Sequence, residues 1–218
     1  MRQLYDAALK YLASGHGVRQ GINGYTDDAP PAYIITVAAV EAFLNENFLS
    51  DLPRLIFKDS ALWAIPSDSL DRMELGMKLV LIPQFLFSKS FSRGSQPYQD
   101  MALLIKVRND FVHYKMKGTP PEYLKALDDR GISLIARSKV EGVDYAWPWK
   151  LSSSEGIRWA HNTACKIIDR LVSFMPADNA KAMAEHSERN FTLISDSHVR
   201  EWFVERGIDP DSDHPAQK

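Results

Sequence analysis

Apolar side chains recur every three or four residues along several long segments of the chain, a spacing typical of amphipathic helices. The clearest segment covers residues 32–50, with the apolar stripe Val37, Val40, Phe43, Leu44 and Phe48. The same pattern predicts long helices over residues 69–88, 97–117 and 153–174. Four long helices joined by loops indicate an all-α fold, an antiparallel bundle of four to five helices.

Glycine and proline mark where these helices bend or end. Pro83 predicts a bend in the second long helix. Gly118 ends the third, since glycine favours the C-terminal cap, and Pro120 and Pro121 cannot continue a helix. Shorter elements are predicted as helices over residues 2–13, 122–129, 178–189 and 196–206 and as a brief strand over residues 132–136.

The bulk composition fits one globular domain with an appendage. The 218 residues are 45% hydrophobic, which is ample for a core, and 25% charged, which is ordinary for a folded protein. We expect the bundle to occupy residues 1–175 and a C-terminal helical extension with a flexible tail to follow over residues 176–218. The net charge of −2 excludes a general basic field for nucleic acid and leaves a local patch open.

Cysteine content and apolar runs bear on the compartment. The single cysteine, Cys165, cannot form an intrachain disulfide, and its helical surroundings favour a buried structural thiol over a nucleophile. Residues 1–6 lack the apolar run of a signal peptide, and the most apolar run, 79–87, is about half the length of a membrane span. We therefore expect a cytoplasmic protein. No metal or cofactor is expected, since metal-ligand spacing is lacking among His161, His186, His198 and His214.

The helix predicted over residues 97–117 separates apolar from polar side chains when drawn at about 100° per residue. Its core face carries Leu104, Val107, Phe111 and Tyr114. The opposite face carries Lys106, Asn109, Asp110, His113 and Lys117. Asn109 and His113 are one turn apart and stack, and Arg108 lies at the border between the faces.

These polar groups suit the cleavage of a phosphodiester. An imidazole of ordinary pKa exchanges protons near neutral pH, and a guanidinium offers forked donors to phosphate oxygens and to transition-state charge. RNA supplies its own nucleophile, the 2′-OH, so neither metal nor covalent intermediate is needed. The expected products are a 2′,3′-cyclic phosphate and a 5′-OH. Because one imidazole does not easily serve both oxygens, a second copy across a two-fold axis is expected to supply the acid.

The segment from Arg108 to His113 also resembles a known signature. It matches the Arg-x4-His pattern of the HEPN superfamily, with the usual polar residue, Asn109, directly after the arginine. Residues 39–45 resemble the early helix of HEPN bundles, with small residues and a glutamate, and residues 159–163 resemble their closing helix. The resemblance covers roughly residues 30–175.

The HEPN resemblance implies a helical bundle, usually dimeric, and in many members a metal-independent endoribonuclease of toxin–antitoxin, antiviral-defence or RNA-processing systems. Arg108 and His113 would be catalytic, with Asn109 as the accessory polar group. Substrate contacts are expected from Lys106, Tyr114, Lys115 and Lys117, and structural support from Glu41 and Asn45. Some toxin members continue the motif as His-x-Tyr, whose tyrosine a partner nucleotidyltransferase modifies. Here Tyr114 follows His113 directly, so that mode of control is not implied.

Each of these residues also has a purely structural interpretation. Arg108 would serve only as an ion-pair partner if it meets Glu41 or Asp110, and His113 would be a surface cation favoured by the helix dipole. Glu41 and Asn45, one turn apart, would form a buried hydrogen-bond network that could also orient Arg108. Core packing is favoured over base stacking for Trp147, Trp149 and Trp159.

Three functions follow from these readings. The first is an endoribonuclease dimer that binds RNA, with an antitoxin or a defence-system protein as a further partner. The alternative is a catalytically silent HEPN interaction or regulatory module, which the near-neutral charge favours. The third is a bundle that binds a nucleotide or another small ligand, with Arg108 as a phosphate clamp.

Overall fold

A computed structural model describes residues 29–114, 121–133, 147–177, 180 and 192–205. Within these ranges the chain is mostly helical and contains no strand, which confirms the all-α expectation. Ile132 and Ser133 begin the predicted brief strand and lie in irregular structure, and the rest of it falls outside the described ranges. The predicted helix over 2–13 and most of that over 178–189 also lie outside them.

We number the described helices in chain order. They are α1 Ala29–Phe48, α2 Asp51–Ile56, α3 Ser67–Asp71, α4 Leu75–Phe87, α5 Gln96–Val112, α6 Leu124–Asp128, α7 Trp147–Leu151, α8 Ser154–Val172 and α9 Asp196–Glu205. The segment predicted as one helix over 69–88 is two, because the chain is extended at Glu74 before α4 begins. Pro83 lies inside α4, which continues through it to Phe87.

Helices α1, α5 and α8 pack against one another and form the centre of the core. The apolar stripe predicted on α1 is buried, and Leu104 and Val107 of α5 are fully buried in the same core cluster. Each such side chain contributes about 1.5–3 kcal/mol of hydrophobic stabilisation. From α8 the core receives Ile157, Ala160, Ala164, Ile167, Ile168 and Leu171.

One helical stretch, Ala29–Ile56, is long and apolar enough to cross a membrane by length and composition. It includes α1 and α2, and 44% of its most apolar window is buried inside the protein. A core helix passes the same test, and the packing of α1 against α5 and α8 accounts for its apolar character.

The start of α8 is fixed by a close approach to α1. The Ser153 hydroxyl caps the helix by accepting a hydrogen bond from the Gly156 N–H at 2.9 Å. The Tyr33 hydroxyl of α1 is buried beside this turn and donates to the Leu151 carbonyl at 2.7 Å. Burial raises the pKa of Tyr33, so the phenol stays protonated and remains a donor.

Gly156→Ala is expected to destabilise the protein by about 1–3 kcal/mol through overpacking. A Cβ on Gly156 would lie 1.9 Å from the Tyr33 hydroxyl oxygen and 2.9 Å from the Ser153 Oγ. Urea unfolding measures the loss, and adding Tyr33→Phe should recover part of it. Gly94→Ala is the control, since its Cβ has 3.8 Å to the nearest atom. Equal stability of the two alanine variants would contradict the clash.

Candidate active site at the C-terminal end of helix α5

Helix α5 ends at Val112, earlier than the predicted end at 117. His113 is its C-cap, and the His113 N–H donates to the Asn109 carbonyl at 2.9 Å. Tyr114 then leaves the helix and packs edge-on against Trp147, with 5.7 Å between ring centroids. This tertiary contact accounts for the early end. Lys115 and Lys117, predicted to contact substrate, lie outside the described ranges.

Aromatic rings hold the last turn of α5 against α1, α7 and α8. Phe111 stacks on Tyr33 with centroids 5.5 Å apart and lies 5.4 Å from Trp147. The Trp159 ring meets the other edge of this cluster, 6.4 Å from Tyr33. Trp147 is buried and Trp159 is partly buried, in agreement with the core-packing interpretation. The last turn of α5, which carries the candidate residues, is therefore held in place by aromatic packing.

The three predicted catalytic residues differ in their access to solvent. His113 is exposed, whereas Arg108 and Asn109 are half-buried. The Arg108 guanidinium makes no ion pair with another described residue: Glu41 pairs with Lys78, and Asp110 accepts a hydrogen bond from Tyr123. The ion-pair alternative for Arg108 is thus not found within the described ranges. The backbone hydrogen bond from His113 to Asn109 is that of one helical turn, so these two residues lie one turn apart.

An open groove of about 590 Å³ runs along one side of α5. Its walls are Lys106, Asn109 and Asp110 on the helix and Pro121, Glu122 and Tyr123 before α6. It unites Lys106 and Asn109 of the predicted site, and its lining does not include Arg108, His113 or Tyr114. The structure therefore separates the predicted residues into an exposed helix end and a neighbouring groove.

Asp110 and Tyr123 form a hydrogen-bonded pair in this groove. The Tyr123 hydroxyl donates to the Asp110 Oδ2 at 2.7 Å. Burial and the neighbouring carboxylate both raise the pKa of Tyr123, so the phenol stays protonated. Sequence reasoning placed Asp110 on the polar face, with pairing to Arg108 as its one possible role, and missed Glu122 and Tyr123. The spacing of Lys106, Asn109 and Asp110 indicates that they share one face of the helix. No local pattern indicates which distant segment packs opposite that face.

Glu41 and Asn45 form the structural network that the sequence favoured. Their shared partner is Lys78 of α4, whose side chain is fully buried. The Lys78 Nζ donates to Glu41 Oε1 at 2.9 Å, to Asn45 Oδ1 at 3.2 Å and to the Asp71 carbonyl at 3.1 Å. The two α1 side chains bind the lysine, and neither makes a hydrogen bond to Arg108. Orientation of Arg108 by this network is therefore not observed.

A second polar cluster joins α8 to the segment before α9. The Asn162 side chain bonds the Ile194 backbone in both directions, at 3.0 Å and 2.8 Å, and the Ile194 side chain is buried. Arg158 pairs with Asp196. The His161 Nε2 lies 2.9 Å from the Thr192 carbonyl. Residues 192–196 are thus fixed on α8.

Cys165 lies beside this cluster, one helical turn after His161. Its Sγ is 3.3 Å from the His161 Nε2, and the thiol is fully buried. Burial, reinforced by the Asp169 carboxylate, raises the pKa of Cys165 to about 12. The sulfur is therefore a protonated thiol at neutral pH, which fits the structural role expected from the sequence. No group of three metal-ligating side chains is found among the described residues.

His161 is expected to make stability fall as the pH is lowered from about 7 to 5. Burial lowers its pKa, so below about pH 6.5 the unfolded chain takes up a proton more readily than the folded chain. The contribution of His161 to stability is complete above about pH 6.5 and is lost as the pH falls toward the lower pKa of the folded state. Glu155 and Asp169 act in the opposite direction, since their pKa values are raised by burial.

Urea unfolding of wild type and His161→Gln across this pH range isolates the contribution of His161 to the pH dependence of stability. The variant should show a flatter acid loss, and the exposed His113→Gln serves as the control. Parallel pH profiles for wild type and His161→Gln would contradict the prediction.

Comparison with known proteins leaves the family open. The chain matches no family model, no curated protein and no solved structure. The HEPN resemblance therefore rests on the residues of α1, α5 and α8 themselves.

Proposed function

We propose that this chain is a metal-independent endoribonuclease with a HEPN-like antiparallel bundle, of a defence or toxin–antitoxin type. One observation carries the proposal: His113 is exposed at the end of α5, one helical turn after Asn109. Arg108 lies on the same last turns of the helix. This group contains a proton-transfer residue, a permanent cation and an amide, which are the parts that RNA cleavage requires.

The proposed reaction is an in-line displacement at phosphorus. A base removes the proton of the ribose 2′-OH, the 2′-oxygen bonds to phosphorus, and the bond from phosphorus to the 5′-oxygen breaks. An acid gives a proton to that leaving oxygen, so the products are a 2′,3′-cyclic phosphate and a 5′-OH. His113 takes one of these proton-transfer roles, and Arg108 stabilises the charge that develops on the phosphoryl oxygens.

The reaction favours a homodimer, because a second His113 would supply the other proton-transfer group. Val112 is 51% exposed and Tyr114 is 37% exposed, so apolar surface flanks His113 on both sides along the chain. Such surface suits contact with a second copy. An antitoxin or another defence-system protein is proposed as the regulator, and the cytoplasm as the compartment.

The test is cleavage of RNA by the purified full chain in excess EDTA, with analysis of the new ends. A 3′ end that resists phosphatase until acid opens the cyclic phosphate, together with a 5′ end that polynucleotide kinase labels directly, supports the proposal. Products with a 5′ phosphate, or cleavage that EDTA abolishes, would reject it.

A silent interaction module is the second candidate, and the charge of the groove favours it. Among the described lining residues of the groove, two carboxylates, Asp110 and Glu122, stand against one lysine, Lys106, and this balance disfavours phosphate. Binding of a protein partner that His113→Ala does not change, with no RNA cleavage by wild type, would favour this candidate.

A further inference from the structure

The groove beside the candidate active site carries more hydrogen-bond acceptors than cations. Asp110 and Glu122 provide carboxylates, Asn109 an amide, and Lys106 the one ammonium group of its described lining. Such a lining disfavours the phosphate backbone and suits a neutral, planar group with N–H donors on its edge. Its volume of about 590 Å³ admits one nucleobase with its sugar.

The two carboxylates differ in what they already bind. Asp110 accepts the Tyr123 hydroxyl on Oδ2 at 2.7 Å, which holds that carboxylate and the tyrosine ring together. Glu122 is exposed and makes no hydrogen bond or ion pair to another described residue. Within the described part of the chain both Glu122 oxygens are therefore available to accept from a ligand, whereas Asp110 Oδ2 already accepts from Tyr123.

We infer that this groove binds a guanine base of the RNA substrate through the carboxylate of Glu122, an inference that rests on the proposed ribonuclease function. Guanine presents two parallel donors, N1–H and N2–H, at the spacing of two carboxylate oxygens. Adenine, cytosine and uracil offer no such pair on that edge. The Asn109 amide and the Lys106 ammonium supply donors suited to the guanine O6.

The groove and the candidate catalytic group share Asn109, which places the selected base next to the cleaved phosphate. Arg108 and His113 act on phosphorus and its oxygens, and Glu122 chooses the base. This division accounts for the acidic character of the described lining, because the groove receives the base and the cation of Arg108 lies outside that lining.

Binding tests the inference without any need for turnover. The full chain carrying His113→Ala is titrated with 5′-GMP and 5′-IMP, which share a phosphate, a ribose and the O6 and differ by the 2-amino group. GMP should bind about tenfold more tightly than IMP, as expected for loss of one arm of a bidentate contact. Adding Glu122→Gln should remove the difference, and adding Glu201→Gln, an exposed glutamate on α9, should preserve it.

Equal affinity for GMP and IMP, no measurable GMP binding, or a GMP preference that survives Glu122→Gln would each overturn the inference. Cleavage of oligonucleotides with a single guanosine or a single inosine by the wild-type chain separates the two proposals. Cleavage with no preference for guanosine rejects the base-binding role and keeps the ribonuclease. Selective GMP binding by a chain that cuts no RNA rejects the ribonuclease and keeps the base-binding role.

Discussion

His113→Ala is expected to lower the rate of RNA cleavage by roughly 10²–10⁴-fold, the usual effect of removing a general acid–base group. The fold should be unaffected, because the imidazole is exposed and its only described hydrogen bonds are those of the backbone N–H, which alanine retains. Initial rates on a defined RNA in excess EDTA measure the loss, and thermal unfolding checks the fold.

His198→Ala is the matched control, since His198 lies on α9 and is partly exposed. It should cleave like wild type. Equal rates for wild type and His113→Ala on every RNA tested would remove His113 from the chemistry. A fall in the unfolding temperature of His113→Ala that matches its loss of rate would instead assign His113 a structural role.

Glu41→Gln is expected to lower the free energy of unfolding by roughly 2–3 kcal/mol. The change leaves the ammonium of Lys78 fully buried, with only neutral oxygens around it and no counter-charge. Loss of a partner from a fully buried ion pair costs about 3–5 kcal/mol. The smaller value follows because the Glu41 side chain is 33% exposed, so water screens part of the interaction.

Urea unfolding measures this loss, with Glu46→Gln as control because Glu46 is an exposed glutamate on the same helix. Adding Lys78→Met to Glu41→Gln should recover stability, since the buried charge is then absent. If Glu41→Gln and Glu46→Gln are equally stable, the pair contributes nothing. If the double variant is less stable than Glu41→Gln, the lysine stabilises the fold by another route.

The helices that build the core could be predicted from local spacing alone. The stripe on α1 and the apolar positions Leu104 and Val107 of α5 are buried as expected. The start of α8 could be predicted because Ser153 is a capping residue, and its hydroxyl accepts from a backbone N–H of the first turn. In each case the signal is a spacing or a cap within one helix, although the buried side chains contact other helices.

What the sequence could not reveal depends on contacts between distant segments. Lys78 is an ordinary surface residue by type, and its burial is tolerable only because Glu41, Asn45 and the Asp71 carbonyl accept its protons. The end of α5 depends on Trp147, which comes much later in the chain and takes Tyr114 away from the helical path. Tyr123 fixes Asp110 from outside α5 in the same way.

The two-way bond between Asn162 and the Ile194 backbone has a consequence for the boundary of the folded unit. The Asn162 amide donates to the Ile194 carbonyl and accepts from the Ile194 N–H, as a backbone partner in a β-sheet would. The Ile194 side chain is buried in the core. Residues 192–196 are therefore part of the folded core, together with α8. Cutting the chain before Thr192 would remove the buried Ile194 side chain and the carbonyl that His161 contacts. The shortened protein would then expose apolar surface of α8 to water.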